Sequence, residues 1–463
     1  MGFAPVLAGL GLALALPPFP TGFLAPLPLA YLLFAGGFRA GFLAGLGFWA
    51  LHLIWLPQSF TQLFGTWLGV LPFIPLILLK ALSWGLLFGL TASRPLARAG
   101  GWVVLEYLSS LGTLAFPWGL LGYALTNAPG RALASLGGVY LLSLAVLLTA
   151  YFGRAWVVRL RSPQYPLVSR LGLTAVALVW VVLWLAPLPS TTPTRAALIV
   201  QGAVNPLEKV KGVSTESRYL ELTRQGLAAS PAVDAVVWPE TAVREFPPEL
   251  TPLLAGKPLV SGLSVFDRGH RNRVALLEEG QVQASYDKMR LVPFGEFFPW
   301  RGAIGGVYSF FFRAFGFSGS LTDTVPGTSL APVGPYGAYI CYESVFPATA
   351  RGLVRSGAEV LINVSNDAWF GPSFGGLQHF AMGRLRAVEN GRWLLRAGND
   401  GVTASVDPYG RVVARIPRGE PGTLVAPYAP SLHQTLYTRI GDWAVGAALV
   451  LGLWGGRMDK KSL

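Results

Sequence analysis

The chain consists of long apolar runs and one long block in which polar and apolar residues mix. Through the first 190 residues, and again near the C-terminus, apolar runs are interrupted by Pro, Gly and Arg. A straight helix needs about 20 apolar residues to cross the hydrocarbon of a bilayer. The pattern predicts about eight membrane-spanning helices, at 3–18, 21–37, 40–57, 66–92, 100–120, 132–152, 171–189 and 441–456. The first two, separated by prolines, also fit a re-entrant pair.

The block between the last two predicted helices has a different pattern. Short runs rich in β-formers recur at 195–202, 233–240, 257–266, 273–288, 336–341, 358–366 and 393–416. Two helical runs, 214–230 and 379–392, lie between them, and Glu279-Gly280 and Tyr409-Gly410 are typical of hairpin turns. Strands alternating with helices predict an α/β layered domain with a mixed sheet. The predicted organisation is a bundle of about seven spans over 1–192, this domain over 193–432, and a last helix with a basic tail over 433–463.

Charge is distributed as a membrane protein requires. Hydrophobic residues make up 52 % of the chain and charged residues 13 %, against about 25 % charged in soluble domains. Residues 195–436 carry 20 of the 23 acidic residues, so this block faces water. The basic surplus belongs to the membrane part and indicates loops beside anionic lipid, with no nucleic-acid partner.

Orientation follows from the loops. With a cytoplasmic N-terminus, ten of the thirteen basic residues outside the block fall on the cytoplasmic side, including Arg161, Arg170, Lys460 and Lys461. The predicted location is a bacterial inner membrane, with both termini cytoplasmic and the hydrophilic block in the periplasm. Lys80 and Glu106 fall inside apolar runs, which predicts either a mutual ion pair or a polar groove within the bundle.

Cys341 is the only cysteine of the 463 residues. The strand-like run before it and Pro347 after it place it at a corner between a strand and a helix. Neighbouring helix N–H groups favour a thiolate at such a corner. The alternative is a small buried apolar residue, which is the usual role of a lone cysteine.

Two further strand ends carry reactive groups. Glu240 ends the run VVWPE, and Lys288 ends QASYDK. Strand ends along one rim of a sheet are where α/β folds collect their sites, although single Glu and Lys residues there are usually solvated. Together with Cys341 they would supply a general base, a cation for an oxyanion and a nucleophile.

Four segments give the chain a family resemblance: WPE at 238–240, YDKMRLVPFGEFFP at 286–299, CYES at 341–344 and NVSNDAWFG at 363–371. They resemble the nitrilase superfamily, and the flanking apolar helices are similar to its membrane branch, the apolipoprotein N-acyltransferases. The resemblance covers essentially the whole chain. It implies an αββα sandwich for the hydrophilic block, beside a bundle of about eight transmembrane helices.

The resemblance also implies roles for individual residues. Glu240 would be the base, Lys288 the oxyanion stabiliser and Cys341 the nucleophile. The supporting positions that match are Glu296, Glu343 and Tyr342, with weaker matches at Trp238 and Trp369.

The implied reaction is a two-step acyl transfer without a cofactor. A phospholipid would acylate Cys341, and the α-amino group of the diacylglyceryl-cysteine of an apolipoprotein would take the acyl chain from the thioester. The alternatives are a membrane-bound amidase or hydrolase with the same triad and a non-catalytic membrane scaffold.

The stretch 297–317 is unusually aromatic for a connection in a water-facing domain. Its Phe310, Phe311 and Phe312 predict an arm that dips into the membrane interface and guides lipid, and the alternative is a buried core segment. The four histidines are widely spaced, and no Walker-type loop is present. We therefore expect neither a metal site nor ATP dependence.

Overall fold

The computed structural model describes residues 2–64, 67–160, 171–172, 174–180, 188–204, 215–314 and 323–458. The chain forms two compact units: Met1–Pro57 with Val70–Pro189 and Ile440–Leu463, and Gln58–Gly69 with Ser190–Arg439. Several predictions fall wholly or partly outside the described residues. They are the helix at 171–189, the end of the 297–317 segment, and the basic residues Arg161, Arg170, Lys460 and Lys461.

Where the structure describes them, the apolar parts of the chain are mostly helical, as predicted. The helices are Ala4–Leu14, Pro26–Leu32, Gly37–His52, Leu56–Phe64, Phe73–Thr91, Pro95–Leu108, Ala134–Leu160 and Trp443–Met458, and the 3-10 turns are Gly22–Leu24, Trp67–Val70, Leu121–Leu125 and Pro129–Leu133.

The predicted count of eight spanning helices is not confirmed. In the described part of the chain, two helices, Phe73–Thr91 and Pro129–Val158, are long and apolar enough to cross a membrane. Others are shortened where the sequence contains Gly and Pro. The run predicted at 100–120, for example, is helical only as far as Leu108, and Gly112 then adopts a positive φ of 79°.

Arg98 is fully buried in the first unit. Its guanidinium donates to the carbonyl oxygens of Leu32 and Leu33, each at 2.9 Å, and to those of Ala35 and Ala92. These carbonyls end the helices Pro26–Leu32 and Phe73–Thr91, where helix geometry leaves C=O groups without partners. One cation therefore caps two helix C-termini.

Lys80 and Glu106 do not form the predicted pair. The Lys80 ammonium donates to the Phe116 carbonyl oxygen at 2.9 Å, and Glu106 Oε1 accepts from the Leu121 backbone N–H at 2.7 Å. Residues 115–120 are not helical, so their backbone groups are available to side chains. Lys80 and Glu106 thus each bond to a backbone group instead of to each other.

The second unit contains two mixed β-sheets. The strands are β1 (Arg195–Gln201), β2 (Ala235–Val237), β3 (Leu259–Phe266), β4 (His270–Glu278), β5 (Gln281–Asp287), β6 (Tyr336–Ile340), β7 (Val360–Ser365), β8 (Leu394–Gly398), β9 (Thr403–Val406), β10 (Val412–Ile416) and β11 (Gly422–Tyr428). One sheet has the order β11-β1-β2-β3-β4-β5 and the other β10-β9-β8-β7-β6. In the first, β1, β2 and β3 are parallel, and in the second β6, β7 and β8 are.

Both faces of each sheet are buried, which gives four layers. In β1, Ile199 belongs to the core between the sheets and Leu198 to the core under the first sheet's helices. The first sheet is covered by Glu216–Ala229 and Leu250–Leu254, the second by Pro347–Arg355 and Gly375–Asn390. The α/β sandwich is confirmed. The predicted hairpin turn at Glu279-Gly280 joins β4 to β5, and both residues have the positive φ that a type I′ turn requires.

Candidate active site

The ends of three strands bring the predicted catalytic residues to one rim of the sandwich. Glu240 follows β2, Lys288 follows β5 directly, and Cys341 follows β6. The Lys288 ammonium lies 3.5 Å from Glu240 Oε1. The thiol of Cys341 interacts electrostatically with both residues. Two sheets therefore contribute to one cluster, with Glu240 and Lys288 from the first and Cys341 from the second.

Lys288 is a buried cation between two carboxylates. Its side chain is 1 % exposed, and its ammonium donates to Glu296 Oε1 at 2.7 Å. Burial alone would lower the pKa of Lys288, but the charges of Glu296 and Glu240 outweigh it and raise this pKa above its ordinary value. The ammonium therefore stays charged across the physiological pH range. Glu296 also accepts the Val292 N–H at 2.8 Å, so the predicted support of Lys288 has a geometric basis.

Glu240 is held by two donors of different kinds. Its Oε1 accepts from the side-chain amide of Asn272 at 2.7 Å, and its Oε2 accepts from the backbone N–H of Asn366 at 2.7 Å. The same Asn272 amide lies 3.4 Å from Glu296 Oε1. Asn272 was not identified from the sequence. The available signal was an amide within the strand run HRNRVALLE, which also fits a solvated strand end.

Cys341 has an unusual backbone conformation. Its φ is +48°, in the left-handed region that costs a non-glycine residue about 1–2 kcal/mol. It begins the short 3-10 turn Cys341–Val345, and the next helix starts only at Pro347. The corner between strand and helix is therefore real, but a five-residue turn separates the cysteine from the helix N-terminus.

The prediction that this corner favours a thiolate is wrong. Although Cys341 is partly exposed, burial raises the pKa of its thiol, and the Glu240 charge raises it further. The Lys288 charge opposes this rise and does not overcome it. The resting thiol is protonated, so a nucleophilic role requires a base to take its proton.

Glu343 is fully buried and joins two loops. Its Oε1 accepts from the Tyr286 hydroxyl at 2.6 Å and from the backbone N–H groups of Met289 and Arg290 at 2.9 and 3.1 Å. Its Oε2 accepts from the Ile340 N–H at 2.8 Å. The carboxylate therefore fixes the chain just after Lys288 against the chain just before Cys341, and its role is positional.

The aromatic residues predicted near the site lie in different places. Tyr342 is buried beside Cys341, with its ring edge-on to Phe346 at 5.1 Å. Trp369 is half-buried in the turn Asp367–Phe370. The structure does not bring Trp238 to the carboxylates: its indole N–H donates to Thr223 at 2.9 Å in the core under the helices.

The predicted arm is a helix, Arg301–Ala314, with a break at Ile304. Phe310 is 63 % exposed and Phe311 47 %, whereas the Phe312 ring packs edge-on against Phe298 at 5.4 Å. Two of the three phenylalanines therefore face outward, and a buried core segment is excluded for them.

The geometry supplies the parts of covalent acyl transfer. A protonated thiol, a carboxylate fixed by two donors and a buried ammonium interact at one rim. A carboxylate can take the thiol proton, and an ammonium can stabilise the oxyanion that forms when a thiolate attacks a carbonyl.

Comparison with known proteins gives matches to both parts of the chain. Residues 8–152 match the family described as apolipoprotein N-acyltransferase N-terminal domain, and residues 259–436 match the carbon-nitrogen hydrolase family. The apolipoprotein N-acyltransferase of Pseudomonas putida is 32 % identical over 514 residues, covering 98 % of this chain and 96 % of that protein. The protein of the same name from Azotobacter vinelandii is 32 % identical over 501 residues, covering 98 % and 94 %.

Among solved structures, a carbon-nitrogen hydrolase from Helicobacter pylori is similar over 50 % of this chain and 88 % of its own length, with 16 % identity and a TM-score of 0.37. The family follows from the sequence relatives, which are similar along both units. On their identity and coverage, the chain belongs to the apolipoprotein N-acyltransferase family.

Proposed function

We propose that Cys341 carries a fatty acyl chain, as a thioester, from a membrane phospholipid to the N-terminal amine of an apolipoprotein. The chain is an acyltransferase that acts in lipoprotein maturation, as its family does. One observation supports the assignment of residues most strongly. The buried Lys288 ammonium is held by Glu296 and Glu240 where it interacts with the only thiol of the chain.

In the first half-reaction, Glu240 takes the proton of the Cys341 thiol and the thiolate attacks an ester carbonyl of the phospholipid. The oxyanion forms beside the Lys288 ammonium, which needs no reorganisation to stabilise it. The ester C–O bond breaks, and the lysophospholipid oxygen receives the proton from Glu240. A thioester remains on Cys341.

In the second half-reaction, the free α-amino group of a diacylglyceryl-cysteine attacks the thioester carbonyl. Glu240 accepts the ammonium proton that the amine loses and returns a proton to the departing thiolate. The products are an amide on the apolipoprotein and the original thiol. Because both substrates are anchored in one membrane leaflet, a site held against that leaflet meets them at a high effective concentration.

The membrane part supports this placement. Helix Phe73–Thr91 exposes large apolar side chains such as Leu79 at 56 %, Leu86 at 51 % and Leu90 at 82 %, which suit contact with lipid tails. Within the proposal, about seven spans over 1–192 and one over 433–463 hold the catalytic domain, 193–432, outside the cytoplasm.

Cysteine labelling tests this topology in a Cys341→Ala background. Gln58→Cys should react with a membrane-impermeant maleimide in cells whose outer membrane is permeabilised, and Ser462→Cys only after lysis. The opposite pattern would reverse the orientation.

The outward phenylalanines of helix Arg301–Ala314 are proposed to contact the membrane interface and guide the acyl donor. Replacing Phe310 and Phe311 by Ser should raise the KM for phospholipid, because two apolar contacts with lipid are lost. Phe312→Ser is the comparison, since Phe312 packs against Phe298. An unchanged KM for phospholipid in the double variant would contradict the proposed role of this helix in guiding the acyl donor.

The central test is the intact mass of the full chain in detergent after incubation with phosphatidylethanolamine and phosphatidylglycerol. Wild type should gain one fatty acyl mass, and Cys341→Ala should gain none. A diacylglyceryl-cysteine peptide should then discharge the adduct.

The alternatives give other results. A hydrolase would lose the adduct to water as fast as to the peptide amine. A scaffold would show no adduct, and an adduct equally present in Cys341→Ala would contradict the assigned nucleophile.

A further inference from the structure

A second group of buried polar side chains lies beside Cys341. Asp367, His379 and Arg396 are each at most 1 % exposed. They come from the turn after β7, from helix Gly375–Asn390 and from β8. None of them has a part in the acyl-transfer steps above.

The group is tied together by short contacts. Asp367 Oδ1 lies 2.9 Å from His379 Nδ1, and Asp367 Oδ2 accepts from the Arg396 guanidinium at 2.7 Å. Ser365 donates its hydroxyl to Asp367 Oδ1 at 2.6 Å. The Arg396 guanidinium and the hydrogen bonds with His379 and Ser365 outweigh the effect of burial and hold the pKa of Asp367 well below its usual range. Asp367 is therefore ionised at neutral pH.

Gly401 shows how closely this anion is enclosed. A Cβ at Gly401 would lie 2.1 Å from Asp367 Oδ2, so any larger residue would displace the carboxylate. Gly401 therefore closes one side of the carboxylate.

Two contacts connect the group to the nucleophile. His379 Nε2 lies 3.0 Å from the Cys341 carbonyl oxygen and 2.7 Å from the Ser344 hydroxyl. These are the first and fourth residues of the turn Cys341–Val345. The Ser365 hydroxyl, which donates to Asp367, also interacts with the Cys341 thiol. The group therefore reaches both the backbone and the reacting atom of Cys341.

The Cys341 backbone needs such a contact. A left-handed, non-glycine residue persists only where the surrounding structure over-determines its conformation. From within the turn, Glu343 accepts the Ile340 N–H, just before Cys341, at 2.8 Å. His379 is the buried side chain whose contacts with Cys341 and Ser344 span the turn.

We propose that Asp367 and His379 form a positioning pair that holds the turn Cys341–Val345 in its left-handed conformation and, through Ser365, aims the thiol at Glu240 and Lys288. The inference rests on the proposed catalytic role of Cys341. Loss of the pair should slow acyl-enzyme formation without weakening phospholipid binding, because it displaces the nucleophile and leaves the lipid contacts in place.

The test is the single-turnover rate of acyl-enzyme formation, followed by intact mass with the same phospholipid mixture. His379→Ala should be about 100-fold slower than wild type, since displacing a reacting atom by about 1 Å costs a factor of this size. Its KM for phospholipid should stay within about twofold. His379→Gln places an amide N–H near the position of Nε2 and should recover at least about tenfold of the lost rate.

Controls separate the possible causes. His433→Gln, at an exposed histidine of the same unit, should behave as wild type. Because the chain has one cysteine, the rate of iodoacetamide alkylation reports on Cys341 alone and should fall in His379→Ala. If His379→Ala does not fold, Ser365→Ala should still slow acylation about tenfold at unchanged KM. Only the Ser365 hydroxyl, which joins the Cys341 thiol to the Asp367 carboxylate, is lost in this variant.

Three outcomes would overturn the inference: His379→Ala within about threefold of wild type, His379→Gln as slow as His379→Ala, or Ser365→Ala at the wild-type rate. These outcomes are distinct from failure of the proposed function. If Cys341→Ala keeps the acyl adduct, the nucleophile itself is wrong. If Cys341→Ala loses the adduct while the His379 variants are normal, only the positioning pair is wrong.

Discussion

The two units of the chain stabilise buried charges in different ways. In the first unit, which contains the apolar helices, Arg98, Lys80 and Glu106 each bond to backbone groups that have no partner within a helix. In the second unit, which carries the proposed catalytic residues and is called the catalytic unit below, Lys288 and Asp367 bond to side chains of opposite charge. Backbone partners cannot exchange a proton, so a charge held by them alone has no neighbour with which to move protons. Side-chain partners can titrate, and a cluster of them can move protons.

The largest expected effect comes from removing the cation of the catalytic cluster. Lys288→Met leaves Glu240 and Glu296 facing each other and removes the charge beside the oxyanion. Acyl-enzyme formation should fall at least about 10³-fold, measured by intact mass. Lys257→Met is the matched control, because that ammonium donates only to the Val233 carbonyl oxygen. Equal effects of the two substitutions would contradict the difference between a cation held by side chains and one held by a backbone group.

Removing the backbone-held cation should change stability instead of chemistry. Arg98→Met leaves the carbonyls of Leu32, Leu33 and their neighbours buried without donors, at a cost of about 3 kcal/mol in the free energy of unfolding. Denaturant unfolding of the detergent-solubilised chain measures this, with the exposed Arg39→Met as control. The acylation rate per folded molecule should be unchanged, and a tenfold lower rate would show that Arg98 is coupled to the site.

The contribution of Asp367 to the free energy of unfolding depends on pH. The pKa of Asp367 is depressed in the folded chain and near 3.9 in the unfolded chain, so its stabilising contribution is present above about pH 4 and is lost as the pH falls below this value. Asp367→Asn should therefore be less stable than wild type by about 2 kcal/mol at pH 7. The difference should narrow at pH 3. A difference that is the same at both pH values would show that the charge of Asp367 is not what stabilises the fold.

The smallest expected effect concerns the amide that joins the two carboxylates. Asn272→Ala removes one of the two donors to Glu240 and should slow acyl-enzyme formation about tenfold. Asn272→Asp should be slower still, because it adds a third carboxylate beside Glu240 and Glu296 and cannot donate a hydrogen bond to either. An Asp variant faster than the Ala variant would exclude this account of Asn272.

The sequence was sufficient for the layers of the catalytic unit and for its strand-end residues. Apolar runs of strand length end at Pro, Gly or a charged residue. These ends determine where Glu240, Lys288 and Cys341 lie. Lys288 and Cys341 directly follow the strands that present them, and Glu240 comes three residues after the end of its strand. Such positions depend on local pattern, which a single sequence contains.

Other features depended on distant contacts and could not be predicted. Asn272 and His379 are single polar residues in regular elements, and nothing local separates them from solvated ones. The pKa of Cys341 depends on burial by both sheets and on Glu240, which is 101 positions earlier in the chain. The number of spanning helices depended on where Gly and Pro end each helix. Hydropathy alone does not contain this information.

The strand order of the first sheet affects when the enzyme becomes active during its synthesis. β11, the last strand of the chain, pairs along its whole length with β1, the first strand of the unit, from Arg195 with Tyr428 to Gln201 with Gly422. A contact between residues so far apart in sequence forms late, because the loop that it closes is long. The sheet that carries Glu240 and Lys288 is incomplete until translation has passed Tyr428. The proposed site on this sheet therefore cannot be complete before the strand Gly422–Tyr428 has been made.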